Sequence, residues 1–80
     1  MREHQVRVPK LGLTMEEAEL LEWHVSEGDK VHKDAELATI QTDKLDVALE
    51  CPCTGTVVQI IGLVGTIYSV GEILCVVAEE

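Results

Sequence analysis

The feature that most constrains this chain is an internal repeat. Sliding the 80-residue sequence along itself by 37 positions brings Gly28 onto Gly65, Leu37 onto Leu74 and Ile40 onto Val77. The same offset carries Leu20 onto Val57, Glu22 onto Gln59 and Trp23 onto Ile60. In the second copy, Thr56 to Ile61 is rich in β-branched residues and sits between glycines, so it reads as a strand. Its partner in the first copy, Glu19 to Val25, is then a strand as well. This resolves a local ambiguity, because Met15 to Trp23 taken alone also fits a short acidic helix, with Thr14 as N-cap and Glu17 closing a capping box.

Period-two alternation supports the same reading. It runs from Leu37 to Gln41 and from Leu45 to Glu50, where Leu45, Val47 and Leu49 share one face and Asp46, Ala48 and Glu50 the other. The short connection Thr42-Asp43-Lys44 between these runs predicts a β-hairpin, with Asp43 suited to opening a type I turn. Two copies of a small β-unit predict an all-β, pseudo-two-fold sandwich or flattened barrel of seven or eight short strands, one domain over residues 1–80. Moving Lys44 forward by the repeat lands just past the last residue, so the Asp43-Lys44 turn is expected at the end of the domain opposite the chain termini.

Composition narrows the function classes. Six Lys and Arg against fifteen Asp and Glu give a net charge of −9, which repels phosphate backbones and anionic membrane surfaces. Nucleic acid and membrane are therefore not expected as partners. Hydrophobic content of 46% argues against a disordered acidic tail, and with Trp23 and Tyr68 as the only aromatics the core must be aliphatic. Residues 51–71 carry no formal charge over a span long enough to cross a bilayer, yet Pro52, Gly55, Gly62, Gly65 and Gly71 punctuate it at intervals suited to strands and turns. Every basic residue falls at or before Lys44, leaving only negative charge from Leu45 onward, a distribution that steers toward basic partner surfaces.

Cys51, Cys53 and Cys75 are an odd number at no disulfide-scaffold spacing, which points to a reducing compartment and to buried structural thiols. A metal centre built on Cys51-Pro52-Cys53 with His4, His24 or His32 is the competing reading, but the spacing matches no recognised zinc site. No metal is expected. Residues Met1 to Leu13 contain no apolar signal-peptide segment. Trp23 is expected in the core.

On these residues the chain resembles a known family. Val8-Pro9-Lys10-Leu11-Gly12-Leu13-Thr14-Met15-Glu16-Glu17-Ala18, Glu22-Trp23-His24-Val25, Glu27-Gly28-Asp29-Lys30-Val31, Thr42-Asp43-Lys44-Leu45 and Val70-Gly71-Glu72-Ile73-Leu74 are similar to the lipoyl domains of 2-oxo acid dehydrogenase acyltransferase components. The resemblance implies a flattened barrel of two four-stranded antiparallel sheets, with the Lys44 side chain amide-linked to lipoate at the hairpin tip. Recognition around the turn is assigned to Gln41, Asp43 and Leu45. In the biotinyl branch of the same family the modified lysine usually lies between methionines, so the Asp43 and Leu45 flanks favour lipoate over biotin.

The implied role is a non-catalytic swinging arm. Acyl groups and reducing equivalents pass between a 2-oxo acid decarboxylase or dehydrogenase component, an acyltransferase core and dihydrolipoamide dehydrogenase, after a lipoate ligase has modified the lysine. The complex served is of the 2-oxo acid or acetoin dehydrogenase kind. The bare domain is expected to be monomeric, in bacterial cytoplasm or, if excised from a eukaryotic precursor, in the mitochondrial matrix. The alternatives are a biotin carboxyl carrier and an unmodified interaction module of the same fold. Three departures from the family pattern stand out: Gln41 where many members have Glu, Asp34 where many have Gly, and Gly62-Leu63-Val64-Gly65-Thr66 in place of a charged loop. Leu63 and Val64 either form an exposed apolar contact surface or tuck against the sheet.

Overall fold

The computed structural model describes residues 2–9, 16–42 and 46–80. Eight strands follow in chain order: β1 (Glu3–Arg7), β2 (Glu17–Trp23), β3 (Lys30–Val31), β4 (Glu36–Gln41), β5 (Asp46–Glu50), β6 (Gly55–Ile60), β7 (Ile67–Ser69) and β8 (Ile73–Glu79). They form two antiparallel sheets, β1-β8-β6-β3 and β5-β4-β2-β7, in a flattened body of 35 × 22 × 17 Å. The segment that could have been an acidic helix is strand β2 from Glu17 onward, pinned on one edge by β4 and on the other by β7. Its inward positions Ala18 and Leu20 are buried.

The repeat is present in the hydrogen bonding. In β2·β4, Leu20 pairs with Ile40 and Trp23 with Ala38 across a bulge. In β6·β8, Val57 pairs with Val77 and Ile60 with Cys75 across a bulge at the same place. The Gly65 amide donates to the Leu20 carbonyl, as Gly28 does to Val57, while Leu20 donates to Thr66 as Val57 does to Asp29. Both glycines have left-handed backbone, φ +93° at Gly28 and +87° at Gly65, a conformation that costs an L side chain about 1–2 kcal/mol. Strand β1 completes the symmetry, standing beside β8 as β5 stands beside β4, each with a bulge near its end.

The core lies between the sheets and is aliphatic. Leu20, Leu37, Ile40, Val57, Leu74 and Val77 are fully enclosed, each on the inward side of a strand. Trp23 packs against this cluster half-buried, and its indole N–H donates to the Gly62 carbonyl at 2.9 Å, so the polar edge is satisfied. Cys51, Cys53 and Cys75 are all buried and unpaired as disulfides. Cys51 and Cys53 are not on a strand; they occupy the β5–β6 connection, where the Cys51 thiol donates to the Cys53 carbonyl at 2.9 Å. Among the described residues no helix is long and apolar enough to cross a membrane.

Candidate functional site

Strand register determines what the β4–β5 end can present. The ladder runs Thr39↔Ala48, Ile40↔Val47, Gln41↔Asp46, so the two strands are paired up to their last residues. Residues 42–45 join them. Of the four residues that the sequence marks around the attachment point, Gln41 ends β4 and is exposed; Asp43, Lys44 and Leu45 lie outside the described residues. Next to the connection Ile40 is buried, and Leu37 and Leu49 bury the other end of the same hairpin.

The rest of this end follows from topology. Glu19 pairs with both Gln41 and Ile67, and β7 continues past that row to Ser69 beside Glu17. Val70 donates to the Glu16 carbonyl, and Val8 and Gly71–Glu72 exchange two backbone bonds. From there β8 starts and runs away to Glu79, whose amide donates to the Arg2 carbonyl at 2.7 Å. The paired residues Gln41 and Asp46 therefore stand at one end of the body and Arg2 and Glu79 at the other; the Asp43-Lys44 turn itself lies outside the described residues. A shallow open groove of about 170 Å³, lined by Glu17, Ala18, Glu19, Gln41, Thr42 and Ile67, borders the connection. Its carboxylates and exposed Asp46 give this end an acidic surface.

Two features fall outside this end. Leu63 and Val64 are 69% and 58% exposed, so the apolar loop does not tuck against the sheet. At the far end, His4 Nε2 meets Glu79 Oε1 at 2.5 Å, and the Cys53 sulfur lies close to both. Burial raises the Cys53 thiol pKa, helped by Cys51 and the Glu79 carboxylate. Burial, with a smaller contribution from Cys51, pushes the Cys75 thiol up to about 12. Both thiols are thus held protonated near neutral pH in the absence of a metal. The His4–Glu79 pairing has no local sequence signal, since the two residues are 75 positions apart and meet only through the β1·β8 ladder.

Comparison with known proteins bears on the fold and on the β4–β5 end together. Residues 4–77 match the Biotin_lipoyl family, described as biotin-requiring enzyme. The chain is 38% identical over 71 residues to the lipoamide acyltransferase component of the branched-chain alpha-keto acid dehydrogenase complex of Pseudomonas aeruginosa, covering 89% of the chain and 17% of that protein. The component of the same name in Bacillus subtilis is 34% identical over 76 residues, covering 95% of the chain and 18% of that protein. The dihydrolipoyllysine-residue succinyltransferase component of the 2-oxoglutarate dehydrogenase complex of Rickettsia bellii is 38% identical over 68 residues, covering 85% and 17%. The chain thus spans less than a fifth of the length of these relatives.

Proposed function

The chain belongs to the Biotin_lipoyl family, and on that premise we propose that it is a lipoyl carrier domain with Lys44 as the attachment residue. The observation that carries the reading is the pairing of Gln41 with Asp46. A carrier lysine must be reached by a modifying ligase and then by several enzyme active sites, and a short connection on a fully paired, core-anchored hairpin supports such access. The relatives named as lipoamide acyltransferase components support lipoate over biotin, as do the Asp43 and Leu45 flanks.

The chain's own contribution is mechanical and electrostatic. Buried Leu37, Ile40 and Leu49 hold the β4–β5 hairpin in the core, a firm base for a swinging arm on Lys44. Lipoylation removes the Lys44 charge, leaving this end bordered by Glu17, Glu19 and Asp46 and complementary to basic surfaces. Lipoate amide-linked to Lys44 would supply a dithiolane for reductive acyl transfer and redox chemistry. Tethering raises the local concentration of that carrier at each partner. The partners of this reading are a lipoate ligase, a 2-oxo acid decarboxylase, an acyltransferase core and dihydrolipoamide dehydrogenase. No catalytic residue is assigned to this chain.

The exposed Leu63–Val64 loop supports a second reading, an interaction module that needs no modification. Reductive acylation of the lipoylated chain by a 2-oxo acid dehydrogenase component separates the two. The carrier reading expects acylation of the wild type and of Lys33→Arg, and none of Lys44→Arg. Acylation that survives Lys44→Arg removes Lys44 from its role, and a chain that is never acylated while still binding the complex supports the module.

A further inference from the structure

The end of the body opposite the 42–45 connection carries a second constellation. Among the described residues, His4 Nε2, Cys53 Sγ and a Glu79 carboxylate oxygen lie within 4.8 Å of one another. They come from three separate segments, β1, the β5–β6 connection and β8. His4 pairs with Val77, a fully buried residue, and Glu79 is two residues further along the same face of β8, so both project from inward-facing positions at the mouth of the sandwich. Cys53 is buried beneath them. Inward positions normally hold apolar side chains, as the rest of both strands does.

The pseudo-two-fold sharpens the point. It places Val47 of β5 where β1 has His4, and Thr42 where β8 has Glu79. The donors are present at one end of the body and replaced at the related position, so core symmetry does not require them. Their backbone is well held: Glu79 donates to the Arg2 carbonyl at 2.7 Å, Glu80 to the Thr54 carbonyl at 3.0 Å, Lys33 to the Thr54 hydroxyl at 3.1 Å, and Cys51 to the Cys53 carbonyl at 2.9 Å.

We propose that His4, Cys53 and Glu79 form a zinc site with a fourth position open to water. One imidazole nitrogen, one thiolate and one carboxylate make a borderline donor set, suited to Zn²⁺ and unlike the all-oxygen sets of Mg²⁺ and Ca²⁺. Tetrahedral zinc with bonds of about 2.0–2.3 Å sets its ligand atoms roughly 3.5 Å apart. Reaching that spacing asks His4 and Glu79 to part by about 1 Å and the thiol to close by a similar amount, within the freedom of two half-exposed side chains. Zinc takes the place of the Cys53 thiol proton, which is released to solvent. The ion staples edge strand β1 and the β5–β6 connection to β8.

The test is metal titration of the untagged 80-residue chain, with Zn²⁺ followed by calorimetry and Co²⁺ by absorption. One equivalent of Co²⁺ should give a thiolate-to-metal charge-transfer band and tetrahedral visible bands, both displaced by Zn²⁺. Cys53→Ala should abolish the charge-transfer band. The surface substitutions His4→Gln and Glu79→Gln, which leave the core intact, should each weaken Zn²⁺ binding more than about tenfold. His24→Gln, whose ring instead meets the Thr39 hydroxyl at 2.7 Å, should change nothing. No uptake, uptake without a thiolate band, or affinity unmoved by His4→Gln overturns the site and leaves His4–Glu79 as a hydrogen-bonded pair.

Discussion

The half of the molecule built from β2 to β5 and the half built from β6, β7, β8 and β1 share strand order, register, bulges and turn bonds, yet their ends differ. In the first half the chain runs on from Gln41 to Asp46 through Lys44; in the second, the related positions Ala78 and Glu3 face each other where the chain ends come together. The symmetric inward positions, Leu20 and Val57, Leu37 and Leu74, Ile40 and Val77, are aliphatic and serve packing. The residues proposed to carry chemistry are those the repeat does not share: Lys44 of the 42–45 connection, and His4, Cys53 and Glu79. Shared positions in such a fold therefore report on stability, and unshared ones are where function is to be sought.

The largest expected break in the equivalence is at Gly55, the counterpart of Ala18 in the other half. A Cβ on Gly55 runs into the Ala78 carbonyl, backbone that cannot turn aside, whereas Ala18 carries its methyl in the core. Gly55→Ala should cost about 3 kcal/mol or more by denaturant unfolding, a large part of the ~5–15 kcal/mol that holds a small domain. Ala18→Gly should cost about 1 kcal/mol. Equal effects at the two sites would show that the close approach of β6 to β8 is not what excludes a side chain.

A pH series sharpens the comparison at Cys75, whose counterpart is Ala38. Between pH 9 and about 12 the unfolded chain loses the thiol proton while the folded chain retains it, so the unfolded state binds fewer protons and stability falls as pH rises. The slope for one such thiol approaches about 1.4 kcal/mol per pH unit between these values and fades below pH 9. Cys53 acts in the same direction. Cys75→Ala, which makes the two halves alike here, should give a shallower loss in urea melts across this window; an unchanged slope would assign the alkaline loss to other groups.

The smallest effect is at Asp34, related by the repeat to Gly71. Both have left-handed backbone, φ +72° and +92°, and both amides close equivalent bonds, Asp34 to Cys51 and Gly71 to Val8. Asp34→Gly should stabilise by at most about 1 kcal/mol, read as a raised denaturant midpoint. A loss instead would mean that the Asp34 side chain contributes more than its backbone strain costs.

These positions also show what the sequence makes legible. The 37-residue offset, read from glycines and aliphatic residues, anticipates the paired sheets and sets the Gln41 and Asp46 strand ends opposite Arg2 and Glu79, because core packing and left-handed turns leave marks on residue type. Strands β3 and β7 are too short to show alternation and emerge only from pairing with β6 and β2. The approach of His4, Cys53 and Glu79 is invisible to spacing, since cross-strand register and a loop assemble it. For Gln41 the structure adds exposure at the end of β4; for Asp43, Lys44 and Leu45 the assignment rests on sequence and family.

The most direct test of the central claim is intact mass with peptide mapping after co-expression with a lipoate ligase in lipoate-supplemented medium, beside a biotin ligase control. The account predicts one lipoyl increment, mapped to the peptide containing Lys44, absent from Lys44→Arg and from the biotin arm. A biotinyl increment, a lipoyl group on Lys30 or Lys33, or no increment under either ligase would contradict it.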